Sequence, residues 1–343
     1  MTEKHYGGAS SHGMKDKAPQ NKSEIAIKNT KDNRALDINE DDESDDSQLT
    51  LKDIETLKKV GKIASETIKY AKSFIKPGML LLEIAEKIES KIIELGGKPA
   101  FPCNLSINEI AAHYTPSYND TEVAKGLLKV DLGVHISGLV ADTAFSIDLE
   151  NSEENKKLIE AAELALNEAT KKINNGIEIS QIGGVIEKSI KSLNFQPIQN
   201  LSGHAIEKYD LHAGINIPNY DNSSPIKITP GVYAIEPFST IGLGKVRDGK
   251  PSGIYQIQKS GNPRDNFARE VLSFIDEEYS TLPFCSRWIH KKFGTRGLVA
   301  LRQIEQAGIL HHYSQLIEIG KGKVAQAEHT LVITEKDKII TTL

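Results

Sequence analysis

The sequence predicts an α/β (α+β) fold whose core is internally duplicated and carries one inserted helical subdomain. Two successive units with the same pattern, two helices followed by strands, span about residues 50–148 and 153–238. From about residue 239 to 312 the pattern changes to polar, Gly-rich sequence followed by further helical periodicity. Repeated helix and strand patterns of this kind build a layered α/β core. The two units share no evident sequence identity, so the predicted duplication is one of element order.

Composition limits the class of protein. The 343 residues are 38% hydrophobic, which is enough for a substantial core. Their net charge of −5 argues against a dedicated nucleic-acid binder. The only cysteines are Cys103 and Cys285, which excludes a disulfide scaffold and a cysteine zinc module. Neither a run of about 18 apolar residues nor an apolar leader occurs, so we expect a cytoplasmic protein without membrane contact.

Residues 1–48 are predicted to form a disordered acidic extension. They hold eleven acidic and seven basic side chains, and the run 39–46 is almost wholly acidic. Such a segment has too little apolar surface to offset the conformational entropy lost on folding. A solvated tail and a docking arm are both compatible with this composition. Residues 49–343 are predicted to form one domain that includes the insertion.

The first unit begins with a helix. Apolar residues recur at helical spacing after Thr50, which with Asp53 has the pattern of an N-terminal capping pair. This helix ends at a Pro-Gly pair, and a second helix is predicted over about 81–95. Strands are then predicted over 104–113 and 127–148.

The second unit repeats this order. Helices are predicted over about 153–173 and after Ser180, and strands over about 195–200 and 232–238.

The insertion has its own pattern. Helical periodicity is visible near 265–279 and 298–307, so the segment 239–312 is predicted to be a helical subdomain. A last pair of strands over about 316–334 is predicted to return to the core.

The segment 129–142 carries the clearest chemical signal. Apolar and polar residues alternate on both sides of a Ser-Gly turn, which is typical of a β-hairpin with two distinct faces. A hairpin centred between Ile136 and Ser137 places Asp131 and Asp142 directly opposite each other, with their Cβ atoms about 5 Å apart. Two carboxylates this close repel each other unless a cation lies between them or one is protonated. Two solvent-exposed acids are the alternative.

Three further residues have similar settings. Glu236 and Glu328 each stand alone in an apolar strand pattern, and His204 follows a glycine that allows close backbone approach. Taken singly, each Glu could face solvent and the His could be structural. Together with Asp131 and Asp142 they offer four carboxylates and one imidazole. That donor set suits two divalent cations such as Mn²⁺, Fe²⁺, Co²⁺ or Zn²⁺ bridged by carboxylates.

Five segments resemble the metal-site motifs of type 2 methionine aminopeptidases, enzymes with the pita-bread fold, in the family's order. The resemblance covers about residues 50–343. The long insertion is similar to the winged-helix-like insertion of type 2, the type that archaea and eukaryotes share. The segments are 104–116, 129–142, 200–204, 235–237 and 327–330.

The resemblance implies an activity and a role for each ligand. A hydroxide that bridges two metal ions would attack the first peptide bond, removing the initiator methionine of nascent proteins when the second residue is small. Asp131 would bind one ion, while His204 and Glu236 would bind the other. Asp142 and Glu328 would bridge both, and Glu236 would also move the proton.

The resemblance also implies residues that contact substrate. His113 would meet the scissile amide, and His212 would steady the developing oxyanion. Phe101, Leu211 and Tyr313 occupy positions that match the family's methionine pocket, although such residues could equally belong to ordinary core. The histidines at 135 and 329 lie beside ligands without a matching ligand role, so we expect structural duty for them.

Two other functions fit parts of the sequence. A proline-specific peptidase of the same fold would use the same five ligands, but such relatives usually have a folded N-terminal domain and no such insertion. A non-catalytic, RNA-associated protein of this fold is the second alternative. We expect the protein to be a monomer. Even if it is an enzyme, basic residues of its insertion could face ribosomal RNA. These residues are Arg287, Lys291, Lys292, Arg296 and Arg302.

Overall fold

The computed structural model describes residues 49–343, so the predictions made for residues 1–48 lie outside the described residues. The helices are α1 (Leu51–Phe74), α2 (Leu81–Glu94), α3 (Glu153–Lys172), α4 (Ile179–Ser192), α5 (Asn266–Tyr279) and α6 (Ser286–Gln306). The first eight strands are β1 (Lys98–Ile107), β2 (Ile110–Ala112), β3 (Leu127–Ile136), β4 (Leu139–Asp148), β5 (Gln196–Pro197), β6 (Ser202–Glu207), β7 (Asp210–Pro218) and β8 (Gly231–Ile235). The others are β9 (Phe238–Thr240), β10 (Val246–Ile257), β11 (Phe284–Cys285), β12 (Leu310–Glu318), β13 (Val324–Gln326), β14 (His329–Ile333) and β15 (Lys338–Ile340).

The core has two halves with the same element order. In the first half, α1 and α2 precede an antiparallel sheet of order β1-β3-β4. In the second half, α3 and α4 precede a sheet in which β6, β8 and β14 are consecutive neighbours, flanked by β7 and β15. Each pair of helices packs its apolar face on the strands of its own half. The predicted repeat of two helices followed by strands is therefore present.

Local sequence signals explain where the first helix begins. The Thr50 hydroxyl accepts a hydrogen bond from the Asp53 backbone N–H at 3.1 Å. The Asp53 carboxylate in turn accepts one from the Thr50 backbone N–H at 3.1 Å. This reciprocal capping box satisfies two N–H groups that have no partner within the helix.

The hairpin register differs from the prediction. Ile136 pairs with Leu139, so the turn is centred between Ser137 and Gly138 and not one position earlier. Both turn residues have positive φ angles, 51° and 84°, as in a two-residue hairpin turn. Asp131 therefore faces Ala144, and Asp142 faces Gly133. The two carboxylates remain on one face as diagonal neighbours, at a spacing that side chains can still bridge.

The inserted segment contains the two predicted helices and, in addition, strands that were not predicted. The long strand β10 pairs antiparallel with β12 and with the short β11, and β2 joins the far edge of β12. Helices α5 and α6 pack on this sheet through a separate apolar cluster. Helix α6 begins at Ser286, about twelve residues earlier than predicted, and a break at Gly294, with φ 63°, divides it. Polar, Gly-rich strands such as β10 lack the alternation that sequence patterns detect.

Two strands of the second half were also missed. β6 and β7 contain His, Gly and Asn between their apolar residues, which weakens strand patterning although they pair with each other.

Within residues 49–343, none of the helices combines the length and the apolar content that crossing a membrane requires.

Candidate metal centre

One cavity of about 330 Å³ collects every residue that the sequence predicted for the site. Its lining includes residues from both halves of the core and from the inserted segment. The predicted residues present in it are Phe101, His113, Asp131, Asp142, His204, Leu211, His212, Glu236, Tyr313 and Glu328.

Both halves of the core contribute candidate ligands from their strands. Asp131 lies on β3 and Asp142 on β4 of the first half. In the second half His204 lies on β6, Glu236 directly follows β8, and Glu328 directly precedes β14. The ligand-bearing strands of the two halves thus converge on one point between them.

Side-chain hydroxyls link the two halves at this point. The Thr143 hydroxyl donates to the Glu328 carbonyl at 2.9 Å. The Thr330 hydroxyl donates to the Asp142 carbonyl and accepts from the Asp142 N–H, both at 2.8 Å. The Glu328 N–H donates to the Ala144 carbonyl at 3.0 Å. These bonds fix the backbones of Asp142 and Glu328 relative to each other.

The imidazole of His204 is oriented as a ligand. Its Nδ1 lies 3.2 Å from the Ala205 carbonyl, which can only accept, so Nδ1 carries the proton. The Nε2 lone pair is then free for a cation. Nε2 lies 3.8 Å from Asp142 Oδ2 and 3.7 Å from Glu236 Oε1. Donor atoms of Asp142, His204 and Glu328 all lie within 4.8 Å of one another.

The four carboxylates, two of them buried (Asp142 and Glu328) and two partly buried (Asp131 and Glu236), have too few hydrogen-bond donors. Burial raises the pKa of Asp131 to about 7. Burial, followed by the charge of neighbouring carboxylates, raises the pKa values of Asp142, Glu236 and Glu328. Oδ1 of Asp131 and Oδ1 of Asp142 are buried with no hydrogen-bond partner. Uncompensated buried carboxylates of this kind fit a bound cation, which would keep them ionised.

The donor types indicate which cations fit. The cluster presents oxygen and nitrogen atoms and no sulfur, since Cys103 and Cys285 do not line the cavity. Carboxylate and imidazole donors suit divalent ions of the first transition row. The residues present therefore fit a metal site.

His113 has a strained backbone at the cavity wall. Its φ angle is 63°, in the left-handed region that residues other than glycine rarely adopt. Its Nδ1 lies 3.2 Å from the Ser314 carbonyl and so carries the proton, which leaves Nε2 as an acceptor. Burial lowers the pKa of His113, so the imidazole is neutral at neutral pH.

His212 lies beside His204 on β7, with ring centroids 4.5 Å apart. It faces the open cavity, and the surrounding protein lowers its pKa to about 3, with the neighbouring imidazoles of His204 and His113 adding to the effect. A neutral His212 offers one N–H donor to a substrate oxygen.

An apolar wall lies next to the carboxylates. Phe101 and Leu211 are buried, and the Tyr313 ring meets the His113 ring edge-on, with centroids 5.3 Å apart. A Cβ atom at Gly133 would collide with the Phe101 ring, so this glycine lets the ring lie across β3.

Sequence reasoning missed several residues that line the cavity. They include Asn104, Asn200, Ile254, Pro283 and Leu316. Two of these stand in the motif segments 104–116 and 200–204 but were given no role, and the others lie outside those segments and reach the cavity through the pairing and packing of distant segments.

The histidines at 135 and 329 do not line this cavity. His135 Nδ1 accepts from the Gly138 N–H at 3.2 Å, and His329 Nδ1 lies 2.9 Å from the Thr342 hydroxyl.

One predicted basic surface residue is buried. Arg287 is 4% exposed and donates both terminal guanidinium nitrogens to the Glu89 carboxylate, at 2.7 and 2.8 Å. The prediction that Arg287 faces ribosomal RNA is therefore wrong, because the guanidinium is held by Glu89 inside the protein.

Fold and cluster together define a metal-dependent peptidase. Residues 55–335 match the sequence model of metallopeptidase family M24. The methionine aminopeptidase of Pyrococcus abyssi is 47% identical over 295 residues, which cover 84% of this chain and 99% of that relative. That of Methanocaldococcus jannaschii is 44% identical over 297 residues, covering 86% and 100%. The chain belongs to metallopeptidase family M24 and, within it, to the methionine aminopeptidases.

A solved structure agrees with the fold. The methionine aminopeptidase of Thermotoga maritima superposes with a TM-score of 0.63 at 22% identity, covering 86% of this chain and 98% of that one. The predicted pita-bread fold is thus confirmed, and the family match and the relatives confirm the predicted enzyme class.

Proposed function

We propose that this protein removes the initiator methionine from nascent proteins whose second residue is small, using two divalent metal ions. The observation that carries the proposal is the meeting of four buried or partly buried carboxylates, one imidazole and an apolar wall in a single cavity. The carboxylates and the imidazole supply metal ligands, and the wall accepts the methionine side chain. The proposed ligands are Asp131, Asp142, His204, Glu236 and Glu328.

The resemblance to methionine aminopeptidases assigns different roles to the ligands, and the positions of the donor atoms are compatible with these roles. Asp142 and Glu328, which come from the two halves and meet in the cluster, would help to hold both ions. His204 and Glu236, whose donor atoms are 3.7 Å apart, are assigned to one ion. Asp131, on the other side of Asp142 in the hairpin, is assigned to the second.

Two bound divalent ions would polarise the scissile carbonyl and lower the pKa of a bound water. Glu236 would accept a proton from the attacking water and return it to the departing amine, since its carboxylate lines the cavity.

The two neutral imidazoles have different tasks. His113 presents its unprotonated Nε2, which can accept a hydrogen bond from the N–H of the scissile amide. His212 is assigned to donate its single N–H to the oxygen that gains negative charge.

The apolar wall supports the choice of methionine. Phe101, Leu211 and Tyr313 would enclose an unbranched thioether side chain beside the metal ligands. The expectation of a small second residue rests on the relationship to the methionine aminopeptidases.

The proposal is tested with metal-stripped protein that is re-supplied with Mn²⁺, Fe²⁺, Co²⁺ or Zn²⁺. We expect metal-dependent release of Met from Met-Ala-Ser and none from Met-Lys or Ala-Pro peptides. Cleavage of Ala-Pro alone would indicate a proline-specific peptidase. No cleavage with any metal by folded protein would indicate a binding function instead.

We also propose that the protein acts in the cytoplasm as a monomer that associates with the ribosome through its insertion. Four of the five predicted basic residues are exposed, namely Lys291, Lys292, Arg296 and Arg302. Changing these four to alanine should reduce co-sedimentation with ribosomes. The matched control changes four exposed lysines of α1, namely Lys52, Lys58, Lys59 and Lys62. Equal loss in both variants would contradict a specific contact.

A further inference from the structure

We propose that Gln326 is a positioning residue that fixes the separation of the two outer carboxylates, Asp131 and Glu236, and so the spacing of the two metal ions. This inference rests on the proposed dinuclear site. Gln326 ends β13 and is 1% exposed. Its side-chain Nε2 lies 3.5 Å from Asp131 Oδ2 and 3.5 Å from Glu236 Oε2.

The two carboxylates that meet at this amide come from different halves of the core. Asp131 lies on β3 of the first half, and Glu236 follows β8 of the second. The hydroxyl and backbone links at Thr143 and Thr330 hold Asp142 and Glu328 but do not touch the outer pair. Gln326 therefore connects the halves at the outer ligands.

The backbone of Gln326 is anchored to both halves. Its N–H donates to the Ser146 hydroxyl at 2.8 Å, and that hydroxyl lies 2.8 Å from the Gln326 carbonyl, to which it can donate. Gln326 also pairs with Phe238, two residues after Glu236, between β13 and β9. These contacts fix the backbone of Gln326 between β4 and β9, and so the position from which its side-chain amide extends.

A primary amide suits this position chemically. Its nitrogen carries two N–H groups, so one can point to each carboxylate. The reverse orientation would place the amide oxygen against two carboxylates, which is unfavourable. Because the amide is neutral, it can orient the carboxylates without cancelling the negative charge that attracts the metal ions. A lysine here would compete with the ions, since its ammonium would pair with both carboxylates.

The test compares Gln326→Met with the wild-type chain. Methionine has similar length and removes both N–H groups. Titration of metal-stripped protein with Mn²⁺ should show affinity for at least one ion reduced about 10- to 100-fold, the usual effect of losing a group that orients a metal ligand. The visible absorption of the Co²⁺-loaded protein should also change, which a purely structural residue would not cause.

The matched control is Gln256→Met. Gln256 accepts a hydrogen bond from the Tyr313 hydroxyl at 2.5 Å and does not contact the candidate ligands. We expect wild-type Mn²⁺ affinity and an unchanged Co²⁺ spectrum from it. Gln326→Asn keeps the amide on a shorter side chain, should weaken Mn²⁺ binding in the same direction, and decides the question if the methionine variant does not fold.

Two results separate the possible failures. Wild-type protein that binds fewer than two ions would overturn the proposed dinuclear site. Wild-type protein that binds two ions, with the same affinities and Co²⁺ spectrum as the folded Gln326 variant, would overturn the role of Gln326 alone.

Discussion

Two buried groups of charged side chains in this protein are compensated in opposite ways. At the seam between the core and the inserted segment, the Glu89 carboxylate receives four hydrogen bonds from three residues. Arg287 donates two of them, at 2.7 and 2.8 Å, Trp288 Nε1 donates one at 2.8 Å, and the Cys103 N–H donates one at 3.2 Å. In the cavity, four carboxylates share too few donors and leave oxygen atoms without partners.

The difference separates a structural charge from a functional one. The Glu89–Arg287 pair is complete within the chain, and the Arg287 Nε also donates to the Pro116 carbonyl at 3.1 Å. The cavity cluster is balanced only when a cation or protons join it, so its ionised form bears repulsion that a metal ion relieves. Variants of the two groups should therefore respond with opposite signs.

The largest expected effect follows from Asp142→Asn. This change removes a ligand proposed to touch both ions, so Met release should fall more than ~10³-fold. The same change removes one of the mutually repelling carboxylates. The metal-stripped variant should consequently unfold at a higher temperature than metal-stripped wild type, measured by circular dichroism.

These two readouts of Asp142→Asn have to move in opposite directions. A metal-stripped variant that is less stable than wild type would show that Asp142 has a stabilising partner within the chain. In that event the cavity cluster would resemble the Glu89 group, and the comparison would fail.

The next effect is on stability. Glu89→Gln leaves the buried Arg287 guanidinium without its counter-charge, which should lower the free energy of unfolding by about 3–5 kcal/mol. Neither residue lines the cavity, so Mn²⁺ affinity of the folded variant should stay near wild type. Urea unfolding monitored by circular dichroism measures the loss.

The double variant Glu89→Leu with Arg287→Met provides the control for Glu89→Gln. It removes both charges and should recover much of the lost stability, because an apolar pair can replace a buried ion pair. If the double variant is as unstable as Glu89→Gln, the loss reflects packing and not an unpaired charge.

The two groups also differ in how far the sequence could predict them. Each cavity ligand stands in a local motif, and the alternation around Asp131 fixes which face its side chain occupies. The register of that hairpin depended on the turn at Ser137, whose positive φ angle no composition signal revealed. Arg287 looked like part of an exposed basic run because its partner Glu89 lies 198 positions away.

The same limit applies to supporting residues in the cavity. Gln326 lies two positions before Glu328, yet its contacts with Asp131 and Glu236 depend on how β13 pairs with β9. Ile254 and Pro283 come from the insertion and reach the cavity through sheet pairing and the packing of the insertion on the core. Local sequence patterns predict which face of a strand or helix a side chain occupies. Pairing between distant segments determines which residues lie next to it.

An effect of a few kcal/mol is expected from pH. The folded-state pKa of Asp131, about 7, exceeds the ordinary value of 3.8, so the folded metal-stripped protein binds more protons than the unfolded chain. Its stability should therefore fall as pH rises from about 4 to about 7, and the loss should amount to a few kcal/mol. Urea unfolding at several pH values measures this slope.

The affinity for metal ions should depend on pH in the opposite sense to the stability of the metal-stripped protein. A bound cation requires ionised carboxylates, so binding of Mn²⁺ near pH 6 should release protons and weaken as pH falls. Calorimetry in buffers of different ionisation enthalpy counts the protons. Binding without proton release near pH 6 would show that the carboxylates are already ionised in the metal-free protein.

The smallest expected effect distinguishes the donors around Glu89. Trp288→Phe removes one N–H from Glu89 Oε2, which still accepts from Arg287 Nη1 at 2.8 Å. A hydrogen bond to a charged group contributes about 1.5–3 kcal/mol, and the remaining donor places the expected loss near the lower end. Circular dichroism must follow the unfolding, because Trp288 is the single tryptophan of the chain. A loss as large as that of Glu89→Gln would mean that the indole, and not the guanidinium, holds the buried carboxylate in place.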